Sequence, residues 1–226
     1  MRYKFLFFDA DNTLFDFSAG EKNAFFTATK EIGIEASEAD YLLYSAANDS
    51  LWKQFEKGEI AKADILKRRY AIFKEKTGYD VDPDALNACY MKHLARQAIL
   101  FPFAETLLHT LREKGYRLFL LTNGATVIQR SRLAISPVTP YFEGVFISEE
   151  MGHAKPSPLF YEAVAGSIEG FSKEETLMIG DSESSDILGA NNFGIDACYF
   201  DPHNKPLTYA HARYRVHSLE ELTTIL

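Results

Sequence analysis

The hydrophobic pattern of the chain changes character twice. Residues 3–8, YKFLFF, are apolar almost without interruption, the pattern of a strand buried on both faces of a parallel sheet. From Ser18 to about Gln97 the pattern is helical. Ala39, Leu43, Ala47, Leu51 and Phe55 recur every four residues, and Leu66, Tyr70 and Phe73 continue at helical spacing. Asp82 and Pro83 form a helix start, after which Leu86, Tyr90 and Leu94 share one face. Beyond Phe101 strands and helices alternate. A helix over about 103–114 precedes a strand at 116–122 (YRLFLLT), and another helix follows Gly124. A strand at 145–148 (VFIS) leads to a helix behind Ser157-Pro158. A strand at 176–180 (TLMIG) leads to a helix ending at Gly194, and DACYF at 196–200 is a further strand. RYRV at 213–216 is one more candidate strand, and Ser218 with Glu221 predicts a capping box for a last helix.

This order predicts an α/β fold, a doubly wound parallel sheet with a helical insert after the first strand. The expected division is a core of residues 1–17 and 98–226 and a helical domain of residues 18–97. In such sheets sites form outside the carboxyl ends of the strands, and polar groups stand at several of these ends. Asp9 and Asp11 follow the first strand. Thr122, Asn123 and Gly124 follow LFLL, and Lys155 lies beyond VFIS. Asp181 follows TLMIG, with Asp186 five residues on.

Their chemistry is complementary. Asp9, Asp11 and Asp181 brought together would repel, and a divalent cation with hard oxygen ligands, Mg²⁺, relieves the repulsion. Thr122 supplies a hydroxyl, and backbone N–H groups near Asn123 and Gly124 would open a helix and meet an anion. Lys155 adds a positive charge. Metal, N–H donors, lysine and carboxylate together suit a phosphate ester. Each part taken alone also has a plain reading, as turn former, helix cap or solvated surface charge.

Composition narrows the partners. At 226 residues and 46% apolar content, the chain can build one large domain, or one domain with an insert. A net charge of −8 argues against a nucleic-acid polymer or an anionic membrane as partner. No run approaches the ~20 apolar residues of a membrane span, and Asp9 and Asp11 cut short the apolar N-terminal run. Cys89 and Cys198 lie far apart without metal-ligand spacing, as buried free thiols of a reducing compartment. A cytoplasmic enzyme acting on a small phosphorylated metabolite, as monomer or homodimer, is the expectation.

The four groups of residues together are recognisable. DADNTLFD (9–16), LLTNG (120–124), Lys155 in KPSPLFY and GDSESSDILGA (180–190) resemble the four motifs of the haloacid dehalogenase (HAD) superfamily of phosphohydrolases. The insert resembles the family's helical cap, and DNTLFD with LWKQFEKGEI (51–60) is most similar to the pyrimidine 5′-nucleotidase group. The resemblance implies a Rossmann-like core and a mechanism. Asp9 would attack phosphorus and form an aspartyl-phosphate. Asp11 would protonate the leaving oxygen and then accept a proton from water. Mg²⁺ would be held by the Asp9 and Asp181 carboxylates and the Asp11 backbone carbonyl. Thr122 and Lys155 would bind the transferring phosphoryl group, and Asp186 would hold Lys155 or metal-bound water.

Alternatives remain at this point. A phosphomutase of the β-phosphoglucomutase type shares the four motifs, and a sugar phosphate or phosphoglycolate would suit a phosphatase site. Dehalogenases lack the second aspartate, which Asp11 supplies here. Phosphonate hydrolysis would need a cap lysine, with Lys53 and Lys57 as candidates. A binding module that had lost catalysis would be expected to lack Asp9. Phe15, Phe17, Trp52 and Phe55 are candidates to contact the organic part of the substrate, although aromatics at helical spacing more often belong to a core.

Overall fold

The computed structural model describes residues 2–226. Six parallel strands form one sheet: β1 (Phe5–Phe8), β2 (Arg117–Thr122), β3 (Gly144–Ile147), β4 (Thr176–Gly180), β5 (Asp196–Phe200) and β6 (Tyr214–Val216). The spatial order is β3-β2-β1-β4-β5-β6. From β1 the chain steps outward to β2 and β3, then returns to the other side of β1 to lay down β4, β5 and β6. The reversal of direction falls between β1 and β4, where doubly wound sheets open a crevice at their carboxyl ends.

Among the described residues there are ten α-helices: α1 (Phe17–Glu31), α2 (Glu38–Glu56), α3 (Lys62–Thr77), α4 (Pro83–Leu94), α5 (Ala104–Glu113), α6 (Thr126–Ile135), α7 (Ser148–Met151), α8 (Pro158–Gly166), α9 (Leu188–Phe193) and α10 (Leu222–Ile225). By its contacts the chain falls into two compact units, the N-terminal segment through Phe17 with Ala98–Leu226, and Ser18–Gln97. Among the described residues no helix is long and apolar enough to cross a membrane.

In the sheet unit, strand alternation builds two cores from one run of sequence. Leu6 and Phe8 face one side, with Leu107 and Leu111 of α5, Leu120, Ile179 and Phe200. Phe5 and Phe7 face the other, with Phe160 and Val164 of α8, Met178 and Phe193. Because both faces are covered, every position of β1 is buried, which is why the sequence shows an unbroken apolar run instead of alternation.

The helical unit has an aromatic interior. The Phe25 and Tyr44 rings stack at 5.0 Å and Tyr44 and Tyr70 at 4.8 Å, with the Arg69 guanidinium 4.7 Å from the Tyr90 ring. The buried Glu21 carboxylate accepts hydrogen bonds from Asn48 Nδ2 at 2.8 Å and from Tyr41 Oη and Ser45 Oγ at 3.3 Å. The inner face of α2 is Tyr41, Tyr44, Ala47, Asn48 and Leu51. Of the stripe expected at every fourth residue, Ala47 and Leu51 lie on this face, Phe55 is half-buried, and Ala39 and Leu43 are exposed. A strict period of four drifts about 40° per step against 3.6 residues per turn, so it cannot stay on one face for four steps.

Two smaller expectations also differ. Glu221 Oε2 accepts from His217 N, but α10 begins only at Leu222 and has no side-chain cap, so Ser218 and Glu221 close a turn ahead of it. The helix expected to run to Gly194 begins as a π-helical turn, Glu183–Ile187, in which Ser182 Oγ accepts from Ser185 N.

Candidate active site

Four chain segments meet at the carboxyl edge of the sheet. Asp9 follows β1 directly, its N–H donating to Ile179 O at 2.9 Å. The loop after it turns sharply at Asn12, whose φ of +59° suits asparagine better than most residues. Thr122 ends β2, Asp181 follows β4, and Lys155 arrives on the segment between α7 and α8.

Lys155 organises the centre. Its Nζ donates to Asp9 Oδ1 at 2.6 Å, Asp186 Oδ1 at 2.7 Å and Leu121 O at 2.9 Å, and the side chain is 1% exposed. All three ammonium hydrogens are therefore used. Burial alone would lower the lysine's pKa. The charges of Asp186 and Asp9 more than reverse that and hold it above the ordinary lysine value. Asn123 secures the segment that carries Lys155: its Nδ2 donates to Lys155 O at 2.8 Å and its Oδ1 accepts from Lys155 N at 3.0 Å.

The carboxylates outnumber the lysine. Asp9, Asp181 and Asp186 each place an oxygen within 4.8 Å of the others. Burial pushes the Asp9 carboxyl up to about 7, with Lys155 opposing and Asp186 and Asp11 adding to the rise. Desolvation and the charges of Asp9 and Asp186 hold Asp181 well above the usual carboxylate range. When all are ionised, three carboxylates against one ammonium leave an excess of two negative charges, and the donors are all hard oxygens. This set fits a divalent cation of the Mg²⁺ type. A second group, Glu31, Cys89 and His93, lies in the helical unit. There Glu31 already pairs with Lys92 Nζ at 2.8 Å and His93 Nε2 at 2.7 Å. His93 lies four residues from Cys89 on α4, whereas Glu31 comes from a different helix.

Thr122 is 1% exposed, and its Oγ1 accepts from Gly124 N at 3.0 Å and from Gln129 Nε2 at 3.2 Å. With both acceptor positions filled, its hydrogen is left to donate, as an anion requires. The helix that follows Gly124 begins at Thr126, whose N–H is bound by Glu149 Oε2 at 2.7 Å, so the N–H groups of Asn123 and Gly124 lie ahead of its first turn. Gly124 N–H is turned onto Thr122. The N–H groups of Gly124 and Thr126 are thus engaged within the protein.

Asp186 is fully buried, holding Lys155 with Oδ1 and accepting from Ser182 N with Oδ2 at 3.0 Å. Gly180 makes this possible, since a Cβ there would lie 2.3 Å from Asp186 Oδ2.

The Asp11 carboxylate stands apart from the other three. Arg132 Nη1 pairs with its Oδ1, and Gln129 Nε2 donates to its Oδ2 at 2.5 Å. Sequence reading missed both residues. The signal was faint: two polar side chains three apart in TVIQRSRLAI, on the same face as the buried Ile128 and Leu133.

The aromatic candidates separate. Phe15 has no exposed surface, and the Arg132 guanidinium sits 4.5 Å from its ring centroid. In this structure it therefore forms part of the core instead of a substrate-facing wall. Phe17 is half-buried, 5.8 Å from the same guanidinium. Trp52 and Phe55 belong to the helical unit and pack edge to face at 5.7 Å, both half-buried. Lys53 and Lys57 are exposed.

Comparison with known proteins shows the family. The pyrimidine 5′-nucleotidase PynA of Streptococcus pneumoniae is 42% identical over all of this chain and 96% of its own length. The pyrimidine 5′-nucleotidase YjjG of Escherichia coli is 30% identical over all of this chain and 99% of its own. The crystal structure of the HAD-hydrolase YfnB of Bacillus subtilis, bound to magnesium, superposes with a TM-score of 0.95 at 32% identity, covering all of this chain and 99% of YfnB. The family model of haloacid dehalogenase-like hydrolases matches residues 3–194, and the chain belongs to that family.

Proposed function

We propose that the protein is a Mg²⁺-dependent phosphatase of small phosphate monoesters, with pyrimidine nucleoside 5′-monophosphates as its substrate class. The observation that carries the chemistry is the single buried lysine shared by Asp9 and Asp186 beside Asp181 and the Thr122 hydroxyl. The substrate class is supported by the pyrimidine nucleotidases of S. pneumoniae and E. coli, which align with this chain from end to end. In this reading the sheet unit is the catalytic core and Ser18–Gln97 is the helical cap. Two free cysteines, Cys89 and Cys198, suit a reducing, cytoplasmic compartment.

The Asp9 carboxylate attacks phosphorus in line, and the bond to the leaving oxygen breaks as that oxygen takes a proton from Asp11. Water then attacks phosphorus of the aspartyl-phosphate and gives its proton to Asp11, which releases phosphate and regenerates Asp9. The Lys155 charge attracts the phosphoryl group, and the Thr122 hydroxyl donates to a phosphoryl oxygen, through both steps. Mg²⁺ on Asp9, Asp181 and the Asp11 carbonyl would neutralise charge on the phosphoryl group.

A second reading has specific support. A ribulose-1,5-bisphosphate 5-phosphatase of Halopiger xanaduensis is 27% identical over 97% of this chain, so a sugar phosphate is the nearest competing substrate class. Phosphate release should be measured with and without Mg²⁺ across UMP, dUMP, dTMP, purine nucleotides, sugar phosphates, phosphoglycolate and β-glucose 1-phosphate. Mg²⁺-dependent release favouring the pyrimidine nucleotides supports the proposal. Preference for sugar phosphates keeps the chemistry and removes the substrate class. A folded protein that releases no phosphate from any ester removes both.

A further inference from the structure

We propose that Gln129 and Arg132 are positioning residues for Asp11, clamping the acid–base carboxylate and tying it to the phosphate-binding Thr122. This inference rests on the reading of Asp11 as the proton donor and acceptor. The two residues lie three apart on α6 and so project from the same face. Each is 1% exposed. A buried guanidinium is costly unless it is paired, and Arg132 has the Asp11 carboxylate and the face of the Phe15 ring.

The clamp uses both carboxylate oxygens. Arg132 Nη1 takes Oδ1 and Gln129 Nε2 takes Oδ2, so the carboxylate plane and rotamer are fixed from two directions. An oxygen that accepts one hydrogen bond retains a second lone pair, so a fixed carboxylate can still carry the proton it transfers. The same Gln129 Nε2 reaches Thr122 Oγ1 at 3.2 Å, and one amide thereby spans the acid–base residue and the phosphate-binding hydroxyl. Gln129 Oε1 is buried without a protein partner among the described residues, so only the donor end of the amide is used.

Gly124 belongs to this device. A Cβ at that position would lie 2.2 Å from Gln129 Nε2. Its φ is not in the left-handed region, so the turn itself does not demand glycine. The approach of the Gln129 amide does. The glycine of the Thr-Asn-Gly segment is accounted for by room for the clamp.

A positioning role separates from a purely structural one through the leaving group. Protonation matters for a poor leaving group such as the alkoxide of a nucleoside, and matters little for p-nitrophenolate. The value of kcat/KM reports the steps through departure of that group, so it isolates the first proton transfer. We would compare kcat/KM for UMP, or the best alkyl ester found, with that for p-nitrophenyl phosphate in Gln129→Leu, Arg132→Lys, Gly124→Ala and Asp11→Asn. Circular dichroism and thermal melts identify any variant that fails to fold. Gln129→Leu, nearly the same shape, removes half of the clamp without removing a charge.

The expected result is a loss of at least about 10-fold on the alkyl ester, with a loss of under about 3-fold on the aryl ester. Asp11→Asn should show the same selectivity more strongly. Equal losses on both esters in the folded clamp variants, or no loss, beside a selective Asp11→Asn would overturn the clamp and leave the role of Asp11 intact. An Asp11→Asn protein that loses both esters equally would overturn the reading of Asp11 and the clamp with it.

Discussion

Lys155 Nζ lies 2.6 Å from Asp9 Oδ1 in a site where the lysine side chain is 1% exposed. The contact joins the proposed nucleophile to the only ammonium among the described residues within the carboxylate cluster, and it gives that lysine a structural part beside its proposed catalytic one. Replacing it removes a counter-charge from two buried acids at once.

Lys155→Met should therefore destabilise the metal-free protein by about 3–5 kcal/mol, the cost of leaving buried charge uncompensated. Urea unfolding at neutral pH measures it. Adding Asp186→Asn to Lys155→Met should recover part of the loss, because one of the stranded carboxylates is then gone. A loss below about 1 kcal/mol for Lys155→Met would contradict the arrangement.

Asp181 predicts the opposite sign. It lies near Asp9 and Asp186 with no ion pair among the described residues, and its Oδ1 accepts from Thr13 Oγ1 at 3.4 Å. Asp181→Asn should leave the metal-free protein as stable as the parent or more so, by on the order of 1 kcal/mol. Magnesium should raise the parent's stability by about 2.7 kcal/mol at a hundredfold excess over Kd, and the variant's by much less. Thermal melts with EDTA and with Mg²⁺ test both halves. An equal magnesium response in the two proteins would remove Asp181 from the metal site.

Gly180→Ala should cost roughly 1–3 kcal/mol by crowding, because the new methyl would meet Asp186 Oδ2 and Cγ at 2.3 and 2.4 Å. In a Gly180→Ala, Asp186→Ala double variant the crowding is relieved, so the two effects should fall well short of additive. Full additivity in denaturant unfolding would mean the two residues do not meet.

Glu21 gives the helical unit a pH dependence. Burial pushes its carboxyl up to about 7, with Asp49 adding and the Tyr41 hydrogen bond and Arg69 opposing. The folded value lies above the unfolded one, near the ordinary 4.5. The folded state therefore binds the proton more tightly. This group's contribution is most favourable below about pH 4.5, declines as pH rises to about 7 and is level above that. The decline is on the order of 3 kcal/mol, at about 1.4 kcal/mol per pH unit. Urea midpoints from pH 4.5 to 8 should show a loss that is smaller in Glu21→Gln than in the parent, the remainder coming from Asp9 and Asp181, whose carboxyls are also raised. Parallel curves for the two proteins would contradict it.

The strands and the chemistry at their ends were legible because a doubly covered parallel sheet leaves an unmistakable trace. Phe8 to Asp9, Leu121 to Thr122 and Ile179 to Asp181 each pass abruptly from apolar to polar, at the edge where sites form. Gln129 and Arg132 were not legible. A polar residue on a helix ordinarily faces water, and the partner of the buried Arg132 is a carboxylate 121 residues earlier in the chain. The inner face of α2 was misplaced for a different reason: tyrosines 41 and 44 carry it, and amphipathic rings mark a face less clearly than leucines.

The central claim is that Asp9 becomes phosphorylated during turnover. The most direct measurement is to quench the working enzyme, reduce it with borohydride and sequence the N-terminal peptide by mass spectrometry. Borohydride converts an aspartyl-phosphate to homoserine and leaves a free aspartate untouched. The account predicts homoserine at position 9 in the enzyme quenched with substrate and Mg²⁺, and none in Asp9→Asn or without substrate. An active enzyme that yields unmodified Asp9 while another residue is reduced would contradict it.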